Sequence, residues 1–363
     1  MRHIKEITID KFRGIEGLAL KDLGDINLIV GDNNVGKTSI LEAVQLFETP
    51  WSIESIMWNA RNRISGYQRP QGTAFESFLS FFPYGGQDKQ ISLSLRTDHE
   101  TVSLEIEGQL EKRIVQEVKL MNHEEKEIHY KNGHLTEYDQ FVEHEDECFV
   151  GSLFFNGEET SLEIRAHGGI GIPMAEQNEL IHIKFISSMA HMTQRNMTKT
   201  VVEHRNEIVE LLKLFDENIT GFELVQDETR SLPTEMIHHK SLGMVPLYTF
   251  GDGLKRVLKL ASGVVQAQDG VILIDEIETS IHVSILPEVF RWFAGACKKY
   301  HVQVIATTHS LEALAMMAKA MVEDQAQELV VYKIEKYHNE FYGKRYSEAQ
   351  MDEIVNRQGL DVR

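Results

Sequence analysis

The sequence predicts an α/β fold in which segments at both ends of the chain build one largely parallel, mixed sheet and enclose a β-rich middle. Three observations carry this: a buried-type strand passing through a glycine loop into a helix at 26–47, short alternating runs from Ile91 to about Ile164, and a helix–strand alternation from Gly251 onward. The 363 residues suffice for one large domain or two modest ones. The expected division assigns 1–50 and 181–363 to the α/β core and 51–180 to an inserted lid and antiparallel β region.

Each element follows from local pattern. Ile4 to Ile9 alternates polar and apolar residues, Gly17 to Leu23 follows a turn at Arg13-Gly14, and Ile26 to Val30 is the near-continuous apolar run of a strand buried on both faces. Ile40, Leu41, Val44 and Phe47 recur at helical spacing, and Pro50 closes that helix. Residues 51 to about 90 read as irregular. The runs ISLSLR, TVSLEIEG, EIHY, FVGSLFF and SLEIR read as an antiparallel meander. After a Gly-rich break at 168–173 come an apolar run at 181–186, a polar helix at about 193–215 and strand-like stretches near 222–227 and 235–238. Helices at 252–266, 284–299 and 310–322 then alternate with strands at 271–277, 303–308 and 329–334, the order that builds a parallel sheet.

Composition bounds the function. With 37 basic and 56 acidic side chains the net charge is −19, while 42% hydrophobic and 26% charged content is ordinary for a globular protein, which excludes general disorder and a polycation. The excess is uneven: His99 to Cys148 has 14 acidic and 5 basic residues, either a solvated face or an acidic docking surface for a basic partner. Cys148 and Cys297 are too far apart in sequence to suggest a disulfide framework or a zinc site. No signal-peptide or membrane-spanning pattern occurs, so a cytoplasmic location is expected.

Three motifs carry chemistry. Gly31-Asp32-Asn33-Asn34-Val35-Gly36-Lys37-Thr38 matches GxxxxGK[ST] between a strand and a helix, where glycines let backbone N–H groups converge on phosphate oxygens. Lys37 is expected on the β- and γ-phosphates and Thr38 on magnesium, with Ser39 next to them on the helix. Val271 to Ile274 is a buried-type strand ending in Asp275 and Glu276, placed to hold magnesium and to orient and deprotonate an attacking water, respectively. Gln303 to Ser310 is a second such strand ending in His309, which alone reads as a satisfied polar residue but after the other two motifs reads as a γ-phosphate contact.

The order of these motifs resembles the ATP-binding cassette (ABC) superfamily, and the GxNxxGK[ST] form with Asn33 resembles its SMC, RecF and OLD branch. Lys11-Phe12-Arg13-Gly14-Ile15 resembles the opening of that branch, where the basic residue, here Arg13, helps hold the nucleotide. The stretch Asp275 to His282 resembles the OLD-like AAA15/AAA21 ATPases, with a standalone form suggested by the lack of a TOPRIM-type acidic cluster. The resemblance covers 1–50 and 240–363, and the middle only by layout. It implies an ABC-type P-loop ATPase using ATP and Mg2+, a homodimer or higher even oligomer, and a signature turn that contacts the partner's nucleotide. Gly251-Asp252-Gly253 is the candidate, with Gly251 where the family carries serine. His282 stands where transporter cassettes have aspartate, which argues against a transporter.

The resemblance further suggests the sensor subunit of an anti-phage or foreign-DNA defence system with a separate nuclease or toxin as effector. A DNA-repair ATPase that binds DNA directly and a nucleotide-bound scaffold with little turnover remain the alternatives. Arg61, Arg63 and Arg69, interleaved with Trp58, Tyr67 and Phe75, suit a protein partner first, then nucleic acid or fold packing. His123, Glu124 and His129 lack zinc-protease spacing, and His238-His239 reads as surface polarity.

Overall fold

The computed structural model describes residues 3–60, 74–83, 88–119, 140–167, 178–188, 204–226, 233–324, 328–338, 340–351 and 353–354. Outside them lie Arg61 to Arg69 of the basic and aromatic run, the stretch 120–139 with His123 and His129, the break at 168–173, residues 193–203 of the expected polar helix, and 355–363.

Strand β1 (Glu6–Phe12), strand β2 (Ile15–Lys21) and strand β3 (Ile26–Gly31) are followed by helix α1 (Lys37–Gln45). Every residue of β3 is buried, as its apolar run requires of a strand covered on both faces. The irregular stretch after Pro50 is in part helical, with α2 at Ile53–Ala60 and α3 at Ala74–Leu79. The meander is β4 (Asp88–Arg96), β5 (Thr101–Lys119), β6 (Gln140–Phe155) and β7 (Glu158–Arg165). Next come β8 (Ile183–Ile186), α4 (Arg205–Lys213), β9 (Ile219–Val225), β10 (Thr234–His239) and β11 (Gly243–Pro246). The C-terminal part is α5 (Asp252–Gln266), β12 (Val271–Ile274), α6 (Leu286–Lys299), β13 (Gln303–Thr307), α7 (Leu311–Asp324), β14 (Leu329–Tyr337), β15 (Glu340–Ser347) and α8 (Glu348–Met351).

The central sheet has the order β15-β14-β3-β13-β12-β8, parallel except for β15 at one edge. A second sheet, β2-β1-β4-β5-β6-β7, is antiparallel throughout. The meander of β4 to β7 thus shares hydrogen bonds and a core with β1 and β2, which the division at 50/51 expected from the sequence assigns to the α/β part.

Strand alternation sorts the central side chains onto two faces. Ile26, Leu28, Val30, Ile272 and Ile274 pack with α5, α6 and α7, whereas Ile29, Val271, Leu273 and Ile305 pack with α1 and the antiparallel sheet. A small third sheet, β11-β10-β9, forms its own core with α4, and Leu254 and Leu258 of α5 belong to that core. Helix α5 therefore has one face on the small sheet and another, with Val257, Leu260, Ala261 and Val264, on the central sheet.

Several minor expectations change. His239 is buried: its Nε2 lies 3.0 Å from Asp216 Oδ2, and its Nδ1 accepts from the Ser241 and Leu242 N–H groups, so it ties a turn together. Asp146, in the most acidic run, is 3% exposed and bonded to His167. Of the aromatics around the arginine run, Phe75 is core and Trp58 is exposed.

Candidate active site

Strand β3 ends at Gly31, whose φ is +148° and where a Cβ would stand 2.5 Å from the Ile334 carbonyl oxygen. Only glycine lets β14 pass so close. The loop turns through Asn34 (φ +64°) and Gly36 (φ +94°) into α1, whose first turn has no side-chain cap, so its N–H groups point into the loop. Val35 is buried beneath the loop, Asp32, Asn33 and Asn34 are exposed, and Ser39 is buried.

Lys37 folds back over this loop. Its Nζ donates to the carbonyls of Gly31 (2.7 Å) and Asp32 (2.8 Å). Burial lowers its pKa, with Asp32, Asp275, Glu276 and Glu278 opposing that shift.

β12 and β13 deliver the remaining groups. Thr38 Oγ1 donates to Asp275 Oδ1 at 3.0 Å, joining the start of α1 to the end of β12. Thr307 Oγ1 donates to the same oxygen at 2.8 Å and accepts from the Glu276 N–H at 2.8 Å, while Ser188 Oγ donates to Asp275 Oδ2 at 3.3 Å. Glu276 has φ +49°, a left-handed turn that swings its side chain out of the strand direction. Its Oε2 accepts from Thr279 Oγ1 at 3.0 Å and its Oε1 lies 3.5 Å from His309 Nε2. Glu278 Oε1 accepts from the backbone N–H groups of His309 (3.0 Å) and Ser310 (3.1 Å), holding the histidine segment at the head of α7.

The structure therefore brings Lys37, Thr38, Asp275, Glu276 and His309 together at the C-terminal ends of parallel strands, where open α/β sheets bind ligands. Arg13 sits at the antiparallel-sheet side: its Nε is 2.9 Å from Glu42 Oε2, its Nη1 donates to Ser80 O at 3.1 Å, and its guanidinium stacks 4.9 Å from the Phe81 ring centre. Gly251 is the N-cap of α5, the exposed Asp252 pairs with Lys255, and a Cβ on Gly253 would stand 2.7 Å from the Ser280 carbonyl oxygen. The candidate signature turn thus bears on the loop that follows Glu276.

Residues 26–315 match the AAA_21 family model, described as AAA domain, putative AbiEii toxin, Type IV TA system. The chain belongs to this family. An ATP/GTP phosphatase of Helicobacter pylori (strain ATCC 700392 / 26695) is 23% identical over 345 residues, 88% of this chain and 89% of that protein. The uncharacterized protein MJECL10 of Methanocaldococcus jannaschii is 57% identical over 44 residues, 12% of this chain and 20% of that protein. Among solved structures, the Smc head domain with an extended coiled coil bound to the C-terminal domain of ScpA, derived from Pyrococcus furiosus, has a TM-score of 0.52 at 10% identity, covering 99% of this chain and 100% of that one. An SmcHead bound to the C-winged helix domain of ScpA has a TM-score of 0.50 at 11% identity, covering 95% and 98%. This AAA_21 chain is a P-loop ATPase with the ABC-type fold of SMC heads.

The donor set suits magnesium and a nucleotide. Thr38 and Asp275 present hard oxygens 3.0 Å apart beside the uncapped head of α1. Among the described residues no cluster of three His, Cys, Asp or Glu forms a metal cage. A small hard cation held by two such oxygens keeps water and phosphate oxygens in the rest of its shell.

Thr307, Ser188, Glu278 and Arg256 escape the sequence reading. Thr307 had a signal, since a polar residue inside a continuously buried strand must find hydrogen-bond partners. For Arg256, beside Lys255 on an amphipathic helix, no local pattern distinguishes it from a solvated charge.

Proposed function

We propose that this AAA_21 ATPase is a magnesium-dependent nucleotide switch whose two active sites form between two copies of the chain. The observation that carries this is the meeting of Thr38 with Asp275, next to Glu276 and His309, at the open end of the P-loop. Lys37 exchanges its two carbonyl partners for the β- and γ-phosphates, while the loop from Gly31 to Gly36, with Asn33, Asn34 and Val35, and the head of α1 with Ser39 supply N–H donors. Thr38 and Asp275 hold magnesium, which neutralises phosphate charge when bound. Glu276 orients and deprotonates the attacking water, and His309 hydrogen-bonds the γ-phosphate. Arg13 supports the nucleotide side through Glu42 on α1.

The Gly251-Asp252-Gly253 turn contacts the nucleotide held by the partner subunit. That the two SMC heads of like fold are bound to ScpA domains supports a face for another protein here, and the toxin–antitoxin wording of the family description supports a place in a defence system, in which a separate nuclease or toxin is the effector of this reading. The name of the Helicobacter relative makes GTP a nucleotide to assay beside ATP. Two buried free thiols suit a cytoplasmic setting.

Phosphate release and light-scattering mass of the purified chain test this. Lys37→Ala abolishes nucleotide binding, and Glu276→Gln retains ATP and accumulates as a dimer. A Glu276→Gln protein that hydrolyses ATP at the wild-type rate would remove Glu276 from the mechanism; one that stays monomeric with ATP bound would remove the shared site.

A further inference from the structure

Helix α5 grips the segment that carries Glu276 from two directions. At its first turn Gly253 lies against the Ser280 carbonyl, a backbone approach that leaves no room for a Cβ. Three residues on, Arg256 Nη2 donates to the carbonyls of both Asp275 (2.9 Å) and Glu276 (2.8 Å), and Nη1 donates to Ser187 O at 3.2 Å. Ser188, the next residue, bonds Asp275. The loop between these two grips begins and ends at left-handed residues, Glu276 (φ +49°) and Ser280 (φ +67°), conformations that persist only where surrounding contacts hold them.

Arg256 is 6% exposed, so its charge is held where desolvation is expensive. Burial lowers its pKa, and the negative charges of Asp275, Glu278 and Glu276 oppose that shift. Helix α5 itself is caught between two cores, the small sheet through Leu254 and Leu258 and the central sheet through Val257 and Ala261. A displacement of its N-terminus therefore moves Gly253 and Arg256 together.

We propose that Arg256 is a positioning residue that transmits occupancy of the Gly251–Gly253 turn by the partner's nucleotide to the backbone of Glu276 in the same subunit, so that each site is set for hydrolysis when the other is filled. This rests on the shared-site reading above. A phosphate drawn to the N-terminus of α5 shifts the helix; the guanidinium fork carries that shift to two consecutive carbonyls, and the Glu276 side chain turns with them. The relation is reciprocal, since whatever fixes Glu276 also favours one position of α5.

Hydrogen exchange and steady-state kinetics on the full chain test it, with Mg2+ and the non-hydrolysable analogue adenylyl imidodiphosphate as probe. In wild type the analogue protects both 31–40 and 274–281. In Arg256→Gln, and less severely in Arg256→Lys, which keeps the charge but not the fork, protection of 31–40 persists while that of 274–281 is lost. Turnover then falls about tenfold or more with KM within about threefold, the pattern of an interaction used only in the transition state.

Wild-type protection of 274–281 and wild-type turnover in both variants overturn the proposal. So does joint loss of protection in both segments, which would make Arg256 a support of the core as a whole. Failure of the underlying reading shows separately: no protection of 31–40 in wild type, or an unchanged rate in Glu276→Gln, removes the site that Arg256 serves.

Discussion

The hydroxyl of Thr307 donates to Asp275 Oδ1 at 2.8 Å and accepts from the Glu276 N–H at 2.8 Å, so one buried side chain on β13 orients both acids at the end of β12. This makes the histidine strand a support for the acidic strand as well as the carrier of His309.

Thr307→Val is isosteric and removes both bonds at once. We expect turnover to fall at least about tenfold with nucleotide affinity within about threefold, and the fold to lose about 1–3 kcal/mol because the Asp275 and Glu276 groups lose a buried partner. Parallel measurement of kcat, nucleotide Kd and urea midpoint checks this, and an unchanged kcat would sink the role given to Thr307.

Glu278 holds the His309 backbone by accepting from two successive N–H groups. Glu278→Gln keeps an oxygen at that place and is expected to retain most activity. Glu278→Ala leaves those N–H groups without it and is expected to lower turnover as His309→Ala does, at a stability cost of about 1–3 kcal/mol. If the Gln and Ala variants behave alike, the backbone bonds are not what matters.

The two glycines of the α5 turn separate by environment. A Cβ on Gly253 meets the Ser280 carbonyl at 2.7 Å, whereas one on Gly251 meets nothing within 4 Å, and Gly251 has ordinary extended backbone (φ −64°, ψ 159°). Gly253→Ala is expected to cost about 1–3 kcal/mol and to disturb the Glu276 loop. Gly251→Ser fits without strain, caps α5 and is expected to raise turnover by restoring a hydroxyl toward the partner's nucleotide. Thermal melts and phosphate release distinguish them; a Gly251→Ser protein with unaltered turnover argues against that trans contact.

Lys259 gives a pH signature. Burial, reinforced by Arg256 and Lys184, lowers its pKa from 10.5 to about 8. Between those values the folded chain binds the proton more weakly than the unfolded chain, so stability falls as pH drops from 10.5 to 8 and stays reduced below. Lys259→Met removes this penalty, while Ser187 O keeps the Arg256 bond. The variant is expected to be more stable by about 1–2 kcal/mol at neutral pH, allowing for partial exposure, with the gap closing toward the upper end of the window. A gap that does not change with pH would show that Lys259 is not the titrating group.

Legibility followed burial and locality. β3, β12 and β13 stand out in the sequence because a strand covered on both faces keeps a nearly continuous apolar run, and β3 leads into glycines that few other structures need. β15 does not stand out: EFYGKRYS buries only Phe341 and is a strand through its pairing with β14. Likewise α2 and α3 are short helices held by the aromatic core around Phe78 and Phe82, and their own periodicity is too brief to read.

By itself the sequence determined where the candidate site residues stand: which residues have phosphate-loop spacing, which acids end a buried strand and which histidine follows the next one, because each signal lies within a short stretch of backbone. Tertiary structure alone decided how those groups are held. Thr307 on Asp275, Glu278 on His309 and Arg256 on the carbonyls of Asp275 and Glu276 each join separate elements. So does the joining of β1 and β2 to the meander. Contacts of this kind are set by strand order and by the packing of α5 between two cores, and neither leaves a period in the sequence.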